Sequence, residues 1–328
     1  MTYFLDTNQP VSLGKKLASA GEGVIYDVTQ YPAWVAKIFH TTFTGVTTAS
    51  SLQEKNQGLV AKRRKVAAMV ANKPANRVQG NALVVLAWPE HTLSENGSIV
   101  GFVMPKIDMD SSVEIHQITN TSDRMNPAPS DPQWVKGFTW RYLSTVAVNL
   151  CIAVEVAHSV GAVIGDFNER NILVSKSTSV SLIDCDSMQF RGPTGEMFLC
   201  GVGRPEYTAP ELLGKDCRTT VRNSQSDLFA LAVHIYMLLL DGAHPFQAGM
   251  WKKSGEKPKA PVLAKAGHYA GGRKSPLSPQ KTAPPPTILP SEIQDLFERA
   301  FALGAVHPSK RPAASEWRIA IQRMIKTL

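Results

Sequence analysis

Cysteine is scarce. The 328 residues hold four, at 151, 185, 200 and 217, and no two stand at metal-ligand spacing. That argues against a zinc ribbon or a disulfide framework and fits a reducing compartment, so a cytoplasmic location is expected. A long apolar run is missing too. The most apolar window, 144–164, carries Asn149, Glu155 and His158, which suits a buried helix and not a membrane span. The opening Met1-Thr2-Tyr3-Phe4-Leu5-Asp6 lacks a basic n-region and an apolar core, so no secretory leader is expected. There is no internal repeat. Acidic residues are the minority, 27 against 35 Lys and Arg, but the excess is local. Residues 252–281 hold eight Lys or Arg and one Glu in a Pro- and Gly-rich setting. The remainder is nearly neutral, which removes the case for a nucleic-acid partner. The basic stretch reads as a solvated, mobile insertion in preference to a docking surface for acidic partners.

The chain contains two kinds of pattern. Residues 11–39 alternate short β-like runs with turns, and Trp34–Phe39 reads as a strand. A helix is expected over 51–70. Apolar strands are expected over 82–88 and 99–105, joined by a Glu-Asn-Gly turn at 95–97. After Pro105 the periodicity becomes helical, over 138–160, 226–240, 291–303 and 313–325, with a proline-punctuated loop at 121–133. The expected fold class is α+β: a β-rich lobe, 1–105, with a five-stranded sheet and one helix, and a helical lobe, 106–328. The lobe 106–328 carries the basic insertion at about 247–290.

The most informative segment is Ile164-Gly165-Asp166-Phe167-Asn168-Glu169-Arg170-Asn171-Ile172-Leu173-Val174, followed by Leu182-Ile183-Asp184-Cys185-Asp186. It reads as a loop, a strand, a turn and a second strand. Asp166 can accept a proton from a hydroxyl. Asn171 and Asp184 offer hard oxygen ligands to Mg²⁺. Phosphoryl transfer needs those parts, because it depends on positioning and charge neutralisation.

This segment resembles the catalytic loop and metal-binding turn of protein kinases, H-R-D-x-x-x-x-N followed by D-F-G. Other segments resemble the same family in the same order. Leu17-Ala18-Ser19-Ala20-Gly21-Glu22-Gly23-Val24-Ile25 is similar to the glycine-rich loop. Val35-Ala36-Lys37 is similar to the third-strand lysine, and Glu54 has suitable spacing for its helix partner. Gly101–Ile107 fits the strand into the hinge. Gly203–Glu211 resembles the end of an activation segment, Ser226–Ala232 the start of the central helix, and His307–Pro312 the late arginine motif.

The resemblance covers about residues 11–325 and implies the divergent bacterial branch of the eukaryotic-like, Hanks-type Ser/Thr kinases. It implies ATP with Mg²⁺, Mn²⁺ being a substitute. Asp166, Lys37 and Glu54 would be catalytic. Leu17, Ala20, Gly21, Gly23, Ile25, Ala36, Lys37, Met104, Pro105, Ile107 and Leu173 would hold the nucleotide. Asn171 and Asp184 would hold the metal. Asp227 would brace the catalytic loop, and Glu211 would pair with Arg311. Partners would be protein substrates bearing Ser or Thr, the chain itself included, and a cognate phosphatase or regulatory protein.

Four departures matter. Gly165 stands where regulated kinases have the arginine that meets a phosphorylated loop, so activity is expected not to need loop phosphorylation. Asn168 replaces a lysine that contacts the γ-phosphate, and Arg204 replaces a Thr or Ser beside the catalytic Asp. Arg204 either supplies the charge that Asn168 lacks, which would make both catalytic, or merely pairs with Glu206 or another acid on its segment. Asp186 replaces a glycine. Lys37, Asp166, Asn171 and Asp184 are all retained, which favours a working enzyme. A nucleotide-binding scaffold or an enzyme of altered chemistry, such as nucleotidyl transfer, is the alternative.

Overall fold

In the computed structural model the described residues are 2–19, 21–41, 49–80 and 82–328. They form two compact units. The first runs to Ile107 and also takes in Asp184–Asp186 and Phe190–Phe198. The second comprises Asp108–Ile183, Ser187–Gln189 and Leu199–Leu328.

The first unit is built on β1 (Tyr3–Leu5), β2 (Pro10–Val11), β3 (Leu13–Ser19), β4 (Gly23–Val28), β5 (Trp34–Phe39) and helix α1 (Ala49–Ala71). Further along come β6 (Val78–Gln79), β7 (Leu83–Val84), β8 (His91–Glu95) and β9 (Ser98–Pro105). Its main sheet has seven strands in the order β2-β1-β8-β9-β5-β4-β3, every neighbour antiparallel. The short β1–β2 hairpin is why it exceeds five.

Strand β5 organises the unit because its side chains alternate between the two faces. Ala36 joins Leu5, Val11, Val28, Leu93 and Val103 on one face, with Trp34 and Ile38 against them. Val35, Lys37 and Phe39 point to the other. There Phe39 and Phe102 pack on Val66 of α1, with Leu59, Val70 and Met104 alongside. Helix α1 therefore covers the Lys37 face.

Residues 82–88 are not a long strand. Ala82 has φ +61, and the amides of Val85 and Leu86 both turn back to the Arg77 carbonyl. Val85, Leu86, Ala87 and Trp88 are buried as an irregular core segment, and the indole of Trp88 donates to the Met69 carbonyl at 2.9 Å. The real hairpin is β8–β9, closed by the expected turn at 95–97.

The second unit opens with β10 (Ser112–Glu114), the short helices α2 (His116–Thr119) and α3 (Thr121–Met125), and the long helix α4 (Trp140–His158). Asn120 caps α3 by accepting from the amides of Ser122 and Asp123, so the proline-rich loop starts later than its composition suggests. Next come β11 (Ile172–Ser175) and β12 (Val180–Leu182), which with β10 form a three-stranded antiparallel sheet, and then helix α5 (Ser224–Leu239). Helix α4 is apolar and long enough to cross a membrane. Here it packs between α5 and the helix Ala314–Ile325, with eleven buried residues.

The basic insertion is folded. It holds a helix, Ala260–Lys265, and a two-strand pairing of Met250–Trp251 with Leu277–Ser278. Leu263, Tyr269, Ala270 and Leu277 are buried, and the Tyr236 hydroxyl donates to the Ala270 carbonyl at 2.7 Å. All eight of its Lys and Arg side chains face outward. The composition signal for disorder came from these exposed charges, while every few residues an apolar side chain anchors the segment.

Arg311 pins the lower part of the unit. Its guanidinium is fully buried, pairs with both Glu211 oxygens at 2.7 Å, and donates to the carbonyls of Gln225 and Gly304. Removing one partner of a buried pair leaves a charge without its counterion. Glu211→Ala should therefore cost about 3 kcal/mol of unfolding free energy, read as a lower urea midpoint at unchanged slope.

Candidate active site

In the first unit the candidate groups gather around one buried ammonium. Lys37 is 3% exposed and lies in β5, opposite Ile25 on β4 and Phe102 on β9. Its Nζ is 2.9 Å from Asp184 Oδ1, 2.9 Å from Asp186 Oδ1 and 2.8 Å from Asp186 Oδ2. Burial alone would favour the neutral amine. The charges of Asp186 and Asp184 outweigh it and hold Lys37 above the ordinary lysine range, so it stays an ammonium. The Asp186 carboxyl is raised as well, by burial and by the neighbouring Asp184, against the pull of Lys37. Asp184 takes a left-handed backbone, φ +55, which turns its side chain out of the strand line. Cys185 between them is fully buried and its thiol is pushed up by burial and the flanking carboxylates, which removes it as a nucleophile.

Several sequence assignments need correction here. Glu54 is exposed on α1, and its expected partner Lys37 is taken by Asp184 and Asp186. The packed face of α1 runs through Leu59 and Val66, and at about 100° per residue Glu54 projects well away from it. Ala36 belongs to the opposite core and not to the Lys37 face. Val35, two residues before Lys37, shares that face and pairs with Met104. The period of two in a strand carried this signal. Gly23 is required by packing, because a Cβ there would lie 2.4 Å from the Ile38 carbonyl oxygen. Gly21 faces open space, Leu17 is exposed, Ile25 is half-buried, and Ala20 lies outside the described residues. Pro105 ends β9 opposite Trp34, and the Lys106 amide donates to Ala33. Ile107 follows, and no hydrogen bond of its main chain occurs among the described residues.

In the second unit the candidate groups sit on the loop 164–171, after the two-way pairing of Val163 with Gln189. Asp227, in the first turn of α5 and 1% exposed, receives the amides of Ile164 at 2.8 Å and Gly165 at 3.0 Å. Its Oδ2 also lies 2.9 Å from His158 Nε2 at the end of α4. This anchors the loop so that Asp166 remains partly exposed. Asn171 Nδ2 donates to the Asp166 carbonyl at 2.9 Å and to its Oδ2 at 3.2 Å. Both are acceptors, so the Asn171 amide must present nitrogen to them. Its Oδ1 is left for another partner, and a hard cation is the chemical match. Leu173 is buried in β11.

Asn168 and Arg204 do not serve the roles expected of them. Asn168 is 4% exposed and its Oδ1 accepts from the Arg170 amide, capping the short turn Glu169–Asn171. Arg204 is paired with Glu169 and not with Asp166. Glu169, which the sequence reading passed over, is the hub. Burial works against its charge. Main-chain and Tyr207 hydrogen bonds, with the Arg204 charge, nevertheless hold its carboxyl below the usual range. Its one signal in sequence was an acid in the catalytic loop with a basic departure at 204.

Two histidines support this network in neutral form. His234 Nε2 donates to the Phe167 carbonyl at 3.0 Å, and its ring stacks on Tyr207 with centroids 4.5 Å apart. His244 Nε2 donates to the Glu206 carbonyl, while its Nδ1 accepts from the amides of Phe246 and Gln247. Burial pushes each down to about 4 from 6.5.

Comparisons with known proteins identify the family. The protein kinase domain family matches residues 119–319. Protein kinase YegI of Escherichia coli K12 is 29% identical over 99% of this chain and 46% of its own length. Serine/threonine-protein kinase PknK of Mycobacterium bovis is 29% identical over 54% of this chain and 14% of its own length. Mouse serine/threonine-protein kinase Nek1 is 29% identical over 47% of this chain and 12% of its own. The chain thus spans about half the length of the nearly full-length match. It belongs to the Hanks-type protein kinase family, with the α+β fold class expected from its sequence.

The histidines give a pH signature. In the unfolded chain they take up protons near pH 6.5, but in the folded chain only near pH 4. Their contribution is therefore intact above pH 6.5 and is lost as pH falls through that window. At pH 5 each should cost about 2 kcal/mol relative to pH 7. Urea unfolding at the two pH values checks this, and His234→Gln should remove about half of the histidine-dependent drop.

Proposed function

We propose that this chain is an ATP- and Mg²⁺-dependent Ser/Thr protein kinase domain that transfers the γ-phosphate to hydroxyls on proteins. The observation that carries this reading is the partly exposed Asp166 carboxylate steadied by Asn171 in the second unit; within the first unit, the Lys37 ammonium held by Asp184 and Asp186 supports it. The names of the relatives PknK and Nek1 support Ser/Thr as the acceptor class, as does the Ala209-Pro210-Glu211 segment. A mobile metal neutralises phosphate charge when bound, and Asp184 and Asn171 Oδ1 are its proposed ligands, with Mn²⁺ a substitute.

In this reading Lys37 binds the α- and β-phosphates. Leu17, Ile25, Val35 and Met104 of the first unit flank the base, and the main chain of Pro105 and Ile107 meets its edge. Asp166 orients the attacking hydroxyl and accepts its proton. The hydroxyl oxygen bonds to the γ-phosphorus as the bond to the β-bridging oxygen breaks, and ADP leaves. No disulfide joins the four cysteines among the described residues, which supports a cytoplasmic setting. Among self-modification sites Ser254 is exposed, whereas the hydroxyls of Ser275 and Ser278 are engaged in hydrogen bonds. A cognate phosphatase or regulatory protein is a proposed partner.

Incubation with γ- or α-labelled ATP and a generic protein substrate tests the reaction class. Label on protein from the γ position alone is expected. Label from the α position would indicate nucleotidyl transfer, and no label would indicate a scaffold. Asp166→Asn should lower kcat by about 10²–10³ with little change in the KM for ATP. Asp186→Ala should raise that KM, and Glu54→Gln should leave both constants unchanged.

A further inference from the structure

Gly165 leaves a space beside the catalytic loop, and Arg222 fills it from another part of the chain. A Cβ on Gly165 would lie 2.7 Å from Arg222 Nη1 and 2.9 Å from Cys200 Cβ and Sγ. The residue also has φ +70, so glycine is required on two counts. The guanidinium is not free to seek a phosphate. Arg222 is 6% exposed. Its Nη2 donates to the Val202 carbonyl at 2.6 Å and its Nη1 to Cys200 Sγ at 3.8 Å. No carboxylate pairs with it among the described residues. Both acceptors lie on the segment that leads to Arg204 and the Ala-Pro-Glu turn.

The backbone of Arg222 is fixed as well. Its amide donates to Gln189 Oε1 at 2.8 Å, and its carbonyl accepts from Gln189 Nε2 at 2.7 Å. Gln189 is buried, and its own main chain pairs in both directions with Val163, two residues before Gly165. The bonds close a circuit through Val163, Gln189, Arg222 and the 200–202 backbone, packed against Gly165. Every member belongs to the second unit.

We propose that Arg222 is the positioning residue that fixes the backbone of residues 200–203 beside the catalytic loop without any phosphate. In the kinases this chain resembles, an arginine at the place of Gly165 does this together with a phosphorylated segment. Here the donor comes from the chain preceding α5 and its acceptors are a carbonyl and a thiol. The Ser and Thr hydroxyls between Asp184 and Glu211, those of Ser187, Thr194 and Thr208, are not needed for order, and Thr208 already donates to the Arg204 carbonyl at 2.7 Å. Control of the enzyme then acts through something other than phosphorylation of this segment.

The proposal rests on the phosphotransfer reading only for its kinetic arm. Amide hydrogen exchange of peptides covering 199–204 is measured on the chain before and after phosphatase treatment. Equal protection is expected, and protection lost on dephosphorylation would overturn the proposal. In Arg222→Met exchange over 199–204 should accelerate by about tenfold or more, with Arg222→Lys intermediate because one donor arm remains. In both, kcat should fall while the KM for ATP holds. Protection and kcat that match the parent in Arg222→Met would also overturn it. If Arg222→Met does not fold, the phosphatase arm on the parent chain still decides. A parent chain without transferase activity would sink the kinase reading, and exchange alone would then judge Arg222.

Discussion

One buried carboxylate sets the frame for the second unit. Asp227 takes two successive amides of the catalytic loop and the imidazole of His158, with almost no water contact. Unpaired amides at this depth would each cost about 1–3 kcal/mol, so the loop has no cheaper place for its backbone. The bonds tie the first turn of α5 and the last turn of α4 to the same short stretch. Asp166, one residue beyond, then inherits its position from two packed helices and not from a mobile loop. Asn171 completes the arrangement by donating to Asp166 twice, and the Ile183 amide returns to the Asn171 carbonyl.

Charge in the first unit follows a related logic with different residues. A lysine buried in β5 needs a counter-charge, and two carboxylates of one turn supply it. Asp186, standing where the family has glycine, gives both its oxygens to Lys37. Helix α1 is thereby relieved of providing a glutamate. It contributes apolar side chains to the core and ties down the hairpin Phe190–Phe198, through the Arg64 pair with Glu196 at 2.6 Å.

Sequence order made the family legible, because its polar landmarks lie in short local runs. The same holds for the strand around Lys37, the helices α1, α4 and α5, and the turn at 95–97. What escaped was decided by faces and distant contacts. Ala36 and Val35 differ only by strand parity, which the residue types do not announce. Glu54 had the right spacing, but spacing along a helix does not fix which way it turns. Arg222 lies far from Gly165 in sequence, so nothing local links the glycine to the guanidinium that needs its space. Asn168 and Arg204 read as charge compensation, yet each found a nearer partner, a capped turn and Glu169. The basic insertion misled because its exposed lysines outweigh its few buried apolar anchors in any composition count.

Buried bonds to Asp227 hold the catalytic loop in place. Native-state hydrogen exchange of the Ile164 and Gly165 amides, read beside kcat in Asp227→Asn, tests it most directly. The isosteric change keeps the volume but removes the charge and turns one of the two acceptor oxygens into an NH2 donor. Exchange in the parent chain should require large-scale unfolding. In the variant both amides should exchange faster by about tenfold or more, with kcat falling and the KM for ATP unchanged. Amides that exchange rapidly in the parent chain, or a variant with full protection and full kcat, would contradict the account.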